Sequence, residues 1–164
     1  MGEPESEIQA RRADAADARA LRRFRCDRGG WFARDVQRLV RGRVASAVAS
    51  GDPVDILLFE RASELVAIAA LEIDARDPST CDLHVVAIAN GDQGRSVRTP
   101  ASRQPLVKVV LDTALALARD LGATRARTIV ARDNARSIRM LAREGFSRVE
   151  PFDSDYDEYA ARLA

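Results

Sequence analysis

RDNARSIRMLAREGF, Arg132–Phe146, has the spacing of a well-made helix. Asn134 can accept a backbone N–H with its side chain and so cap the first turn. Ile138, Met140, Leu141 and Ala142 supply a buried side. Gly145 can take the left-handed conformation that ends a helix, and Phe146 then packs back on Met140 or Leu141. Every residue is explained without a ligand. The same spacing also suits half of a cofactor site, so the surrounding chain has to decide.

Immediately upstream, Arg125–Ala131 reads as a strand, and before it Pro105 opens a strong helix. Its stripe is Val107, Val110, Leu111, Ala114, Leu117, Ala118 and Leu121, and Gly122 ends it. Downstream, Ser147–Pro151 and Tyr156–Leu163 are the last expected strands. Leu83–Ala89 is apolar on both faces, as a central strand is. Asn90–Gln104 is a long polar segment, and such loops in compact domains are often functional. Asp55–Arg61 and Leu65–Asp74 form an expected hairpin around a tight turn at Ala62–Glu64. Two helices are predicted before it, Asp14–Arg25 and Trp31–Ala49, then a turn at Ser50–Pro53. Ile8–Arg12 is a short first strand. Asp14 and Asp17 sit where negative charge suits a helix dipole.

The predicted fold class is α/β. One domain, residues 8–164, carries a mixed sheet of about six to seven strands and about four helices, after a flexible tail at 1–7. With 164 residues and 46% apolar composition, a sizeable core is available. A net charge of +1 does not point to nucleic acid. Low aromatic content also disfavours base stacking. Arg34, Arg38 and Arg41 share a helix face that reads as solvated; a grip on an acidic ligand is the alternative. Only Lys108 among the 26 basic residues is lysine. That bias fits phosphate recognition by planar guanidinium forks, or genomic codon usage. Cys26 and Cys81 are far apart without metal or redox spacing, and His84 is the single histidine. No zinc pattern exists, no metal is expected, and a reducing cytoplasm is the expected compartment. No apolar run approaches the roughly 20 residues of a membrane span. Gly2 and Ser6 match a loose myristoylation pattern, read as chance.

VARDNARSIRMLAREGF, together with LHVVAIA followed by NGDQGR, resembles the GNAT superfamily of N-acetyltransferases. The similarity runs from Ile8 to about Leu163. It includes a strand ending in Asn134, a helix, and Gly145–Phe146 eleven positions on, with Arg12 and Asp17 in the opening strand and helix. The resemblance implies an N-acyltransferase that uses acetyl-CoA and a small-molecule or peptide amine, with a homodimer as an expected assembly and neither nucleic acid nor membrane as partner. Strands four and five would splay apart, and main-chain N–H groups of Val86, Ala87 and Ile88 would hold the pantetheine arm and thioester carbonyl. Asn134 would hold the pantetheine or acyl end. Gln93 and Gly94 begin the loop that would lead the pyrophosphate to a helix N-terminus, a ready anion site.

The chain departs from that pattern in two places. Counted forward from strand four, Ser96 and Arg98 fill the expected small positions. Counted back from Gly122, Pro105 and Val107 do, so the two registers differ by nine residues. The loop is therefore expected to be longer than usual and lacks the glycines that allow close backbone approach. Arg95, Arg98 and Arg103 could bind phosphate by charge instead, or could be solvated. The family's usual tyrosine acid falls on Leu141; a thiolate, from a thiol of pKa about 8.5, can leave without strong acid help. Candidate bases are His84 and, through water, Glu72. The alternative reading is a fold relative that binds a ligand or partner without turnover.

Overall fold

The computed structural model describes residues 7–52, 54–98 and 103–164. The first six residues of the expected tail, with Gly2 and Ser6, lie outside them, as do Pro53 and part of the long polar segment. The described strands are β1 (Gln9–Arg12), β2 (Asp55–Arg61), β3 (Glu64–Ile73), β4 (Thr80–Ile88), β5 (Ser96–Arg98), β6 (Arg103–Pro105), β7 (Arg125–Ala131), β8 (Ser147–Pro151) and β9 (Tyr156–Arg162). The helices are α1 (Ala18–Arg23), α2 (Trp31–Leu39), α3 (Ala45–Ser50), α4 (Leu106–Asp120) and α5 (Ala135–Arg143). Seven strands form one mixed sheet in the order β1-β2-β3-β4-β7-β9-β8, and β5 pairs with β6 alone. The α/β expectation holds.

The chain divides into two compact units. One is Met1–Ala70 with Val85–Ala114, the other Leu71–His84 with Leu115–Ala164. In the first, Leu21, Val40, Val44, Ala45 and Val48 pack with Ile56, Leu58, Ile68, Val85 and Ala87. The single long helix expected over Trp31–Ala49 is interrupted by a π-type turn at Val40–Val44 between α2 and α3. Both Val40 and Val44 stay buried through it. The β2–β3 hairpin closes through Ala62 and Ser63, both at positive φ (49° and 67°). That is the primed-turn geometry that matches strand twist, here built without glycine. Asp14 and Asp17 form a capping box: the Asp14 side chain accepts from Ala16 N, and Asp17 Oδ2 accepts from Asp14 N. Arg11, rather than Arg12, grips Asp17 with two bonds of 2.8 and 2.7 Å, while Arg12 pairs with Asp55.

In the second unit, β7 pairs antiparallel with β9 along its whole length, and β9 with β8. Helix α5 ends as its sequence demands. Gly145 sits at φ +87°, its N–H donates to Ala142 O, and Phe146 N–H donates to Leu141 O. Those two bonds complete a Schellman motif, with Leu141 and Phe146 both buried.

Two expectations need correction. The polar stretch Asn90–Gln104 is not all loop: β5 and β6 form an antiparallel hairpin with Ser96 opposite Pro105 and Arg98 opposite Arg103. Pro105 therefore closes a strand, and α4 begins one residue later. The two conflicting loop registers have the same explanation. Ser96 and Pro105 are cross-strand neighbours, and Leu106 N–H donates to Arg95 O at 2.9 Å.

Candidate functional site

The decisive strand is β4. It starts three residues earlier than expected, at Thr80, and pairs in parallel with β7 at Thr80–Arg125, Cys81–Ala126 and Asp82–Arg127. The strand then continues to Ile88. Its hydrogen bonds show how the pairing ends. Thr80 O accepts from Asp74 N on the β3 side. Leu83 O accepts from Thr128 Oγ1 (2.9 Å) on the β7 side, so a side-chain hydroxyl serves its carbonyl. Strand alternation would then put Ala89 N–H on the β7 side as well. Instead it donates to Val66 O on β3, at 2.8 Å. One irregular residue must lie between Leu83 and Ala89. Such a bulge bends a strand and ends its ladder, and bulges recur beside active sites.

Beyond β4 the first unit holds most of the sequence-predicted cofactor residues in succession. Val86, Ala87 and Ile88 close the strand, and Gln93 Nε2 donates back to Ile88 O at 3.3 Å. Gly94 adopts φ +76°, so one glycine of this loop does use the left-handed region. Arg95 is exposed, 3.9 Å from Asp92, whose carboxylate is taken at 2.7 Å by Arg61. Arg98 and Arg103 stand opposite one another in the hairpin. Asn90, which carries no local signal, fixes the end of β4: its N–H donates to Arg25 O, its Oδ1 accepts from Arg28 N, and its Nδ2 donates to Asp27. That bond is the main reason Asp27 titrates below the usual carboxylate range.

The second unit holds the others. Asn134 Oδ1 accepts from Ser137 N at 3.2 Å, so the structure shows it as the α5 cap. His84 and Glu72 meet: Nε2 lies 3.1 Å from Oε2, both side chains about two-fifths exposed. Around them Arg127 holds Asp82 through Nε (2.6 Å) and Nη2 (2.9 Å) and reaches Asp74 at 3.1 Å. Asp74 titrates below its usual value, first through the Arg76 backbone N–H and then through Arg127. Sequence reasoning passes over Arg127, because its partners are on other strands.

No family model matches this chain, and no curated protein does. Solved structures do. PaiA N-acetyltransferase from Thermoplasma acidophilum, in complex with coenzyme A, is 15% identical, with a TM-score of 0.71 over 95% of this chain and 99% of that one. The chain has the GNAT fold. The ribosomal-protein-S18-alanine N-acetyltransferase from Escherichia coli is 14% identical, at TM-score 0.71, over 96% and 95% of the two chains. The GNAT domain of PAT from S. lividans is 15% identical, at 0.73, over 95% and 90%. In the main sheet β4 is the fourth strand in chain order and β7 the fifth, and β5–β6 lies between β4 and α4 in the chain.

Proposed function

We propose that this protein is an acyl-CoA-dependent N-acyltransferase that moves an acetyl group from acetyl-CoA to an amine by direct attack. One observation carries the reading most: the parallel register of β4 with β7 covers Thr80–Asp82, and β4 itself runs on as an irregular strand to Ile88. Main-chain N–H groups released from a ladder can receive a thioester carbonyl and stabilise the oxyanion that forms there. Val86–Ile88 are the residues proposed for this. The coenzyme A complex of a neighbour with the same fold supports the choice of donor.

The residues present fit the donor's phosphates in an altered way. A run of glycines is missing, but Gly94 keeps the turn, and Arg95, Arg98 and Arg103 are proposed to meet the phosphates by charge-assisted hydrogen bonds. Gln93 would brace the loop from Ile88 O. Asn134 is proposed only as a secondary contact, since its Oδ1 already serves Ser137. Departure of the thiolate needs no dedicated acid.

Titration calorimetry with acetyl-CoA, followed by a product assay on a panel of amines, tests this. Expected is micromolar binding, acetyl transfer to at least one amine, and an affinity at least tenfold weaker for R95A/R98A/R103A in low salt, shrinking as salt screens the contacts. Binding without turnover on any amine would favour the non-catalytic relative. No binding at all ends the proposal.

A further inference from the structure

The geometry points to His84 as the base that deprotonates the acceptor amine, with Glu72 as a positioning residue that selects its tautomer. This inference rests on the acyltransferase reading. His84 Nε2 is bound to Glu72 Oε2 at 3.1 Å, so Nε2 carries the hydrogen and Nδ1 carries the lone pair. Among the described residues Nδ1 has no hydrogen-bond partner, and the ring is open to solvent, where an amine can reach it. The base is two residues before Val86 on the same strand.

The surrounding charges leave this pair to itself. Asp82 is on the same strand, Asp74 on the β3 side, Arg127 on β7 and Glu158 on β9. Arg127 binds both aspartates and lies 3.5 Å from Glu158. Among the described residues Glu72 has no such cation, and its partner is His84. Two carboxylates two positions apart thus divide into different jobs. Asp74 is locked to arginine, and Glu72 is directed at the imidazole. Glu72 is therefore a supporting group rather than a second base.

The step balances. Nδ1 takes one proton from the acceptor ammonium. The freed nitrogen pair forms the N–C bond at the thioester carbonyl, and the C–S bond breaks with its electrons on sulfur. The remaining surplus N–H proton passes to the thiolate, directly or through water. Amide and thiol are the products.

Because His84 is the only histidine, one imidazole signal reports on the pair. Nitrogen-15 NMR of the whole protein is expected to show the Nε2–H tautomer. E72Q, which keeps an acceptor but removes the charge, should retain the tautomer. E72L, which offers no acceptor, should lose it. For acetyl transfer, H84Q should lower kcat/KM about 100-fold or more, within the usual range for general bases, and abolish the acidic limb of its pH profile. E72L should lower kcat/KM with donor affinity unchanged, and E72Q should restore most of it. An Nδ1–H tautomer, or a tautomer indifferent to E72L, overturns the pairing. Near-normal H84Q turnover beside a dead E72Q overturns the assignment of the base. Should acetyl-CoA fail to bind wild type, the parent reading falls and the catalytic role with it, while the NMR result still decides the pairing.

Discussion

Asp157 is one of the few buried carboxylates, and two arginines from elsewhere in the chain meet it. Arg148 donates to it through Nε at 2.9 Å, and Arg132 does the same. Arg132 also donates to Ser154 O and Asp153 O, so the pair ties the β8–β9 turn to the end of β7. Arg148 is the main cause of a lowered Asp157 pKa, and Arg132 adds to it. The sign follows by linkage: a carboxylate lowered in the folded state contributes stability that is complete above its unfolded value of about 3.9 and is lost as pH falls through the folded value. D157N should therefore melt below wild type at neutral pH. The two melting temperatures should converge as pH falls from about 4 to 2, where the native carboxylate also protonates. A gap that persists at low pH would mean that packing, rather than charge, is what the substitution disturbs.

At the scale of elements, each end of α5 is specified by one residue. Asn134 caps the start and Gly145 ends it. An added Cβ at Gly145 would meet nothing within 4 Å, so any cost of substitution is backbone strain at φ +87°. G145A should lose about 1–2 kcal/mol, the usual penalty for a left-handed alanine, seen as a lower urea midpoint with unchanged slope. If stability is unchanged, the Schellman geometry is not what stops this helix. The β5–β6 hairpin shows the other way an element is made. Its ends are held by Leu106 N–H on Arg95 O and by the Ser96–Pro105 pair, and Val97 is buried. No hydrophobic alternation in SVR or RQP announces two strands, because three-residue strands are too short to carry a period.

At the scale of the whole molecule, the two compact units happen to hold one cysteine each, Cys26 in the first and Cys81 in the second. Neither forms a disulfide, and both are buried. Burial pushes the Cys26 thiol up to about 11, so it carries almost no reactive thiolate at neutral pH. Strands β3 and β4 each run through both units. A shared strand cannot leave one core without exposing backbone in the other, so cooperative opening is expected. Thiol labelling by a disulfide reagent, followed against urea in C26S and C81S separately, should give the same midpoint for the remaining thiol. Midpoints that differ would show two foldons.

What the sequence determined alone is whatever is decided within a turn or two of chain. The stop of α4, the cap and stop of α5, the β2–β3 hairpin, the period of the buried stripes and the resemblance in Arg132–Phe146 all depend on residues a few positions apart, and all were legible. His84, Glu72 and the three loop arginines could be singled out by type. That His84 meets Glu72 twelve positions away, that Arg127 rather than a base takes Asp74 and Asp82, that Ser96–Arg98 pairs with Arg103–Pro105, and that β4 slips out of step after Leu83 were decided only in three dimensions. The reason is register. Which side chains face one another across a sheet is set by the pairing of distant strands, and a single irregular residue reverses which edge every later N–H faces.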